Sequence, residues 1–93
     1  MQAKPTRQVQ MTRIRPERRE WRFYRLEIVT DLFGTLLLQC SWGRIGTDGQ
    51  QRCEPFTDEM TAIAALDRQA ARKQRRGYQE TPLNAASFRD YGR

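Results

Sequence analysis

The sequence has no histidine, only two cysteines and no long apolar run. Without histidine it lacks the commonest general base, and no serine or cysteine stands in a recognisable nucleophile pattern, so we expect no enzymatic activity. Cys40 and Cys53, with no cluster of acids beside them, argue against a metal site or a disulfide scaffold. We expect both to be free, half-buried thiols on strands, and we expect the protein to need no cofactor.

No stretch approaches the ~20 apolar residues of a membrane span, and no apolar stretch of signal-peptide length follows the N-terminal cations. We therefore expect a soluble protein without membrane contact, monomeric and located in the cytoplasm or at the nucleoid.

Acidic residues are also scarce relative to basic ones. The 93 residues contain 17 Lys and Arg against 11 Asp and Glu, a net charge of +6, and fifteen of the cations are Arg. Arginine suits bidentate contact with phosphate, so an anionic partner is the first hypothesis, although arginine-rich surfaces also serve solubility. The length suffices for one domain with one small core.

Alternating apolar residues predict a small antiparallel sheet. Val9 and Met11 indicate a first strand, which Pro5 and Pro16 should confine to an edge of the sheet. Aromatic and β-branched residues predict a second strand, and apolar and turn residues predict two more. The expected strands after the first are 21–30, 35–45 and 51–56, with a tight turn at 46–49.

The two-residue period of a strand assigns side chains to faces. Tyr24, Leu26 and Ile28 share one face of the second strand. In the third strand, Trp42 and Arg44 point the same way as Leu36, Leu38 and Cys40, unless a bulge intervenes. On this pattern alone, Trp42 completes an apolar core face, whereas a position beside Gly43 at a strand end also suits a ring presented to a ligand.

A helix is predicted to begin at 57–59, where Thr57, Asp58 and Glu59 offer a capping oxygen and negative charge, and to end near Gly77. Its packing stripe is expected to contain Ile63, Leu66 and Ala70, with Met60 nearby. The opposite face carries four arginines, which either track phosphates or simply form a solvated helix end: Arg68, Arg72, Arg75 and Arg76.

The predicted organisation has three parts. Residues 1–8 form a basic arm, residues 9–80 form the folded domain, and residues 81–93 form a C-terminal tail without a clear period. In the tail, Phe88 and Tyr91 either dock on the core or belong to a disordered segment.

An ordered series of residues runs through the predicted strands, turn and helix: Phe23-Tyr24, Trp42-Gly43-Arg44-Ile45-Gly46, Gly49-Gln50, Pro55-Phe56, Ala62, Ala65-Leu66 and Arg76-Gly77-Tyr78. Together these residues resemble the WGR domain, the Trp-Gly-Arg module of DNA-dependent poly(ADP-ribose) polymerases and of small stand-alone bacterial proteins. The resemblance rests on the whole series rather than on the tripeptide alone, and it departs from the usual pattern at Ser41 and Leu66.

The resemblance implies an α+β fold, a twisted antiparallel sheet of about four strands with one helix packed on it. It also implies a non-catalytic module in which Trp42 packs against a DNA sugar and Arg44 bridges to a phosphate or a partner protein. We therefore expect binding to double-stranded DNA or DNA ends through the backbone, without strong sequence readout. A protein-interaction adaptor anchored on Trp42 and Arg44 is the alternative, and RNA or single-stranded DNA is a third option within the binding class. The candidate DNA-binding residues are Trp42, Gly43, Arg44, Arg52, Arg68, Arg72, Arg75 and Arg76.

Overall fold

A computed structural model describes residues 7–81 as a five-stranded antiparallel sheet with one helix packed on it. This confirms the predicted α+β class. The strands are β1 (Arg7–Arg15), β2 (Glu20–Thr30), β3 (Leu36–Arg44), β4 (Gln50–Phe56) and β5 (Gln79–Thr81), and the helix α1 is Glu59–Arg75. The rest of the predicted arm and tail, including Phe88 and Tyr91, lies outside the described residues.

The strand order in the sheet is β4-β3-β2-β1-β5. The first strand was predicted to be an edge strand, and this is wrong, because β5 pairs with β1 through Gln10, Met11 and Thr12. The flanking prolines do not prevent this pairing, since Pro16 lies beyond the last residue of β1 and the contact with β5 is confined to the middle of the strand. β1 begins at Arg7, two residues before the expected start of the domain.

The core lies between α1 and one face of the sheet, where strand alternation gathers the apolar side chains. Met11, Leu26, Ile28 and Leu38 are almost completely buried there, and Leu66 of α1 packs among them. At about 25 cal/mol per Å² of apolar surface removed from water, such burial is the main stabilising contribution in a domain of this size.

The helix begins as predicted, because the Asp58 carboxylate accepts a hydrogen bond from the Thr61 backbone N–H at 2.8 Å. The expected stripe of Ile63, Leu66 and Ala70 does pack against the core. The fully buried residues of α1 are Ala62, Ala65 and Leu66, so the packing face is broader than expected and centred on the alanines. Met60 was expected near this stripe, and it is instead 82% exposed. The small alanines allow α1 to approach the sheet closely.

The C-terminal end of α1 determines where the following chain goes. Gly77 has a positive φ of 97°, and the N–H groups of Gly77 and Tyr78 donate to the carbonyls of Gln74 and Lys73. This pair of bonds is the Schellman arrangement, which reverses the chain after a helix. Tyr78 is thereby buried against the core, and the next three residues form β5 along β1.

The two cysteines lie on different faces of the sheet and are free thiols. Both were expected to be half-buried, which is wrong in each case, because Cys40 is buried beneath α1 and Cys53 is exposed. Cys40 pairs across the strands with Arg52, and Cys53 pairs with Gln39, so register places the two thiols on opposite sides.

Candidate nucleic-acid interface

The face of the sheet that carries α1 changes from apolar to cationic along its strands. Register places Tyr24 opposite both Met11 and Trp42, in a row that ends the core. The next row on the same face, two residues further along each strand, consists of Arg13, Arg22 and Arg44. The predicted shared face of Trp42 and Arg44 is therefore confirmed, and a row of arginines follows directly on the apolar core.

Trp42 is half-buried, because part of its side chain packs against the core while the rest lines an open hollow. This hollow, which we call the tryptophan hollow, has a volume of about 180 Å³. Both hypotheses for Trp42 are therefore partly met: one part of the side chain packs on the core, and the other part is accessible from the hollow. The tryptophan hollow is lined by Tyr24, Cys40, Trp42, Arg52 and Lys73.

The floor of the tryptophan hollow is held by a short chain of hydrogen bonds. The Cys40 thiol donates to the Tyr24 hydroxyl at 2.9 Å, and that hydroxyl donates to Gln69 Oε1 of α1 at 3.2 Å. Burial raises the pKa of Tyr24 above its usual range, and the hydrogen bond with Cys40 acts in the same direction. Burial also raises the pKa of the Cys40 thiol, although its bond to Tyr24 opposes this. Both groups are thus held in their neutral forms.

Lys73 supplies a cation to the wall of the same hollow. Its Nζ lies 4.6 Å from the centre of the Tyr24 ring and 5.5 Å from that of Tyr78, which are favourable cation–π distances. Burial lowers the pKa of Lys73, and the neighbouring charge of Arg76 adds to this effect. The aromatic rings thus fix the position of an ammonium group that would otherwise move freely on a long side chain.

A second hollow of about 230 Å³ lies beside the first, between β4 and the last turns of α1. We call it the helix hollow. All four predicted helix arginines are exposed, but only Arg72 and Arg76 line this hollow together with Arg52, whereas Arg68 and Arg75 line neither hollow. Contact of these arginines with DNA stays a prediction. The structure therefore divides the four arginines into two pairs. The helix hollow is lined by Tyr24, Arg52, Gln69, Arg72, Lys73 and Arg76.

Gly43 has a packing role within the β3–β4 hairpin. A Cβ at this position would lie 2.7 Å from the Cα of Gly49, a distance that real Cβ atoms do not show. The backbone that approaches Gly43 closely is thus the chain's own, from the turn that follows β3. Its contact with DNA stays a prediction.

Arg44 lines a third hollow of about 270 Å³ at the end of the sheet, separate from the tryptophan hollow. We call it the sheet-end hollow. Trp42 and Arg44 share a face but face different spaces, which the strand period alone does not reveal. The sheet-end hollow is lined by Arg18, Arg19, Glu20, Trp21, Arg22 and Arg44.

Several residues of these hollows were absent from the predicted site. Lys73 lies seven residues after Leu66, on the packing stripe of α1, so its helical spacing was a usable signal. Arg22 joins the site only through its cross-strand position opposite Arg44, which depends on register. No sequence signal placed Tyr24 in the wall of a hollow rather than wholly in the core.

Within residues 7–81, no group of three or more His, Cys, Asp or Glu side chains is placed to hold a metal ion. In the same described part of the chain, no helix is both long and apolar enough to cross a membrane.

Comparison with known families gives one match that spans most of the chain. The model of the WGR domain family matches residues 7–85. A curated relative, the uncharacterized protein y4dW of Sinorhizobium fredii, is 37% identical over 70 residues. The match covers 75% of this chain and 34% of the relative, so the chain spans about a third of the relative's length.

A solved structure shares the fold. A crystallised protein from Bacteroides fragilis superposes with a TM-score of 0.69 at 20% sequence identity. The superposition covers 90% of this chain and 21% of the crystallised one. At this level of identity the likeness concerns the arrangement of strands and helix.

Proposed function

Because this chain belongs to the WGR domain family, a family known for nucleic-acid-binding modules in poly(ADP-ribose) polymerases, we propose that it binds double-stranded DNA or DNA ends. Binding would involve the sugar-phosphate backbone, without catalysis and without strong sequence readout. The observation that carries the proposal is the position of Trp42, half-buried at the rim of a hollow whose other walls include Arg52 and Lys73.

The chemistry of the tryptophan hollow suits a sugar beside a phosphate. Trp42 offers an apolar ring that is fixed by its contact with the core. Arg52 faces the same space, and Lys73 adds a second cation held over the Tyr24 ring. Aromatic rings beside a cationic groove are the usual arrangement for following single-stranded nucleic acid, and the same pair of contacts can serve a sugar and its phosphate at a DNA end.

The helix hollow extends the cationic surface away from Trp42. Arg72 lies in the last turn of α1 and Arg76 directly follows the helix, and both line the same hollow as Arg52. Arginine binds phosphate oxygens with two parallel N–H groups, so these side chains can hold a phosphate next to a sugar packed on Trp42. The described residues 7–81 contain a single α-helix, α1, so they do not form the pair of helices that makes a helix-turn-helix.

The alternative, a protein-interaction adaptor, would use Trp42 and Arg44 as a paired anchor of the kind enriched at interface hot spots. Less supports this alternative, since the two residues line different hollows and each hollow is rich in cations. An acidic peptide that competes with DNA for Trp42 would favour the adaptor.

The test is a binding series with blunt duplex, nicked duplex, single-stranded DNA and RNA, each at several salt concentrations. We expect the duplexes to bind most tightly, with a log–log salt slope near −0.9 for each phosphate contact. The double variant Arg52→Gln/Arg72→Gln should make this slope shallower by about 1.8 units, 0.9 for each lost contact. The matched control Arg68→Gln/Arg75→Gln removes the same charge outside the hollows and should change it less. Affinity that does not respond to salt would contradict the proposal.

A further inference from the structure

The sheet-end hollow carries an excess of positive charge at a place that the tryptophan hollow does not reach. Four arginines and one glutamate line it, a net formal charge of +3. Glu20 is shared, because it contacts Arg13 at 3.1 Å, Arg22 at 3.9 Å and Arg15 at 4.0 Å. A single carboxylate divided among three guanidinium groups does not neutralise the hollow.

Two arginines of this hollow are arranged in a way that costs stability. Arg22 lies directly opposite Arg44 on the neighbouring strand, and on its other side it lies opposite Arg13, which is held by Glu20 and the Tyr78 ring. Like charges in directly opposed cross-strand positions destabilise a sheet. An arrangement that opposes folding is understandable where the same charges bind an anion.

Backbone geometry points to the same place. A single 3-10 turn, Pro16–Arg18, joins β1 to β2, and Arg19 follows it with a left-handed φ of 54°. In this conformation the Arg19 backbone N–H closes the turn by donating to the Pro16 carbonyl at 2.9 Å. The turn brings Arg18 and Arg19 to the hollow that also contains Arg22 and Arg44.

We propose that the sheet-end hollow is a second phosphate-binding site, which holds a backbone phosphate of the same DNA duplex that contacts Trp42. This proposal rests on the proposed function. The hollow, at about 270 Å³, lies just below the usual 300–1,000 Å³ of sites that enclose a whole small molecule, so it suits a phosphate group whose ligand continues outside.

The spacing of the two sites fits one continuous ligand. Arg52 pairs with Cys40, and Arg44 lies four residues further along β3, about 13 Å at the rise of an extended strand. Trp42 lies between them. A duplex backbone in contact with Trp42 therefore presents further phosphates on both sides of the ring.

The experiment compares three double variants for duplex affinity across a salt series. Arg22→Gln/Arg44→Gln should make the salt slope shallower by about 1.8 units, 0.9 for each lost contact. Arg52→Gln/Arg72→Gln tests the proposed function in the same way, and Arg68→Gln/Arg75→Gln is the charge-matched control. Loss of slope only in Arg52→Gln/Arg72→Gln would overturn the second site and leave the proposed function standing. Loss only in Arg22→Gln/Arg44→Gln would support a phosphate contact at the sheet end and contradict the proposed role of the tryptophan and helix hollows.

A stability measurement separates binding from a structural role. Because Arg44→Gln relieves repulsion with Arg22, we expect its thermal midpoint to stay the same or rise while duplex affinity falls. A lower midpoint with an unchanged salt slope would overturn the proposal.

Titration with AMP, followed through arginine side-chain NMR signals, tests the other source of phosphate. If the parent protein binds AMP and Arg22→Gln/Arg44→Gln leaves duplex affinity unchanged, the hollow belongs to a free nucleotide and the duplex assignment is overturned.

Discussion

The two ends of the helix-covered sheet face are built from the same three strands but differ in polarity, burial and charge. At one end, Leu26, Ile28 and Leu38 are buried beneath α1. At the other, the row that contains Arg22 and Arg44 extends past the core. The apolar end supplies stability, whereas the cationic end opposes it through repulsion between neighbouring charges. Stability and binding are therefore expected to respond to different substitutions.

The largest expected effect is at the apolar end. Leu26→Ala removes a completely buried side chain from the middle of the core and should lower the free energy of unfolding by about 2–5 kcal/mol. Urea denaturation measures this change. The control Leu32→Ala alters a side chain that is 99% exposed and should stay within about 0.5 kcal/mol. If DNA affinity of the folded Leu26→Ala protein also fell, the separation between the two ends would be wrong.

The next effect concerns the hairpin that carries Trp42 between the two ends. Gly34 and Gly49 both have positive φ, 83° and 69°, but an added Cβ meets nothing at Gly34 and would lie 2.2 Å from the Trp42 carbonyl oxygen at Gly49. Gly34→Ala should cost about 1–2 kcal/mol through backbone strain alone. Gly49→Ala should cost about 1–3 kcal/mol more, because the turn must also move. Equal losses of stability would show that the close approach is unimportant.

A smaller effect is expected at the boundary between the two ends, where Tyr24 and Cys40 are held neutral. Both have pKa values raised by burial, so their contribution to stability is present at neutral pH and is lost as pH rises above about 9. Lys73 acts in the opposite direction. Its pKa is lowered in the folded protein, so the unfolded chain holds a proton that the folded protein has lost, and this cost to stability disappears as pH rises above about 10.

Comparison with Tyr24→Phe isolates the tyrosine from the lysine. We expect the free energy of unfolding of this variant to fall less steeply between pH 9 and 11 than that of the parent protein, measured by urea denaturation at each pH. Parallel curves would show that the tyrosine hydroxyl is not the group that resists ionisation.

Periodicity predicted the central strands, the helix and the shared face of Trp42 and Arg44, because each depends on a repeat within one segment. The fifth strand was missed because Gln79–Thr81 has only three residues, too few to show a period, and its place depends on the chain reversal at Gly77. Met60 is exposed in the first turn of α1, and Cys53 is exposed because register places it on the sheet face opposite α1, and neither fact follows from spacing within one segment.

The candidate site was predictable only where its residues were close in sequence. The tripeptide identified Trp42, Gly43 and Arg44 as a group, yet the structure separates them. Trp42 lines the tryptophan hollow, Gly43 packs against the following turn, and Arg44 lines the sheet-end hollow. Cross-strand register, which brings Arg22 beside Arg44 and Arg52 beside Cys40, follows from the lengths of turns and strands together.

The central claim is that Trp42 serves binding more than stability, and one paired measurement tests it: thermal midpoint and duplex affinity for Trp42→Ala on a single preparation. We expect the ring packed on a sugar to contribute on the scale of a ring stacked on a base, so its loss should weaken binding by about 1–3 kcal/mol. The fall in stability should stay below the ~3–5 kcal/mol typical of a fully buried tryptophan. Phe33→Ala, which removes a 91% exposed ring at the far turn, should change neither. A large fall in the midpoint with unchanged affinity of the folded fraction would contradict the claim and make Trp42 a core residue.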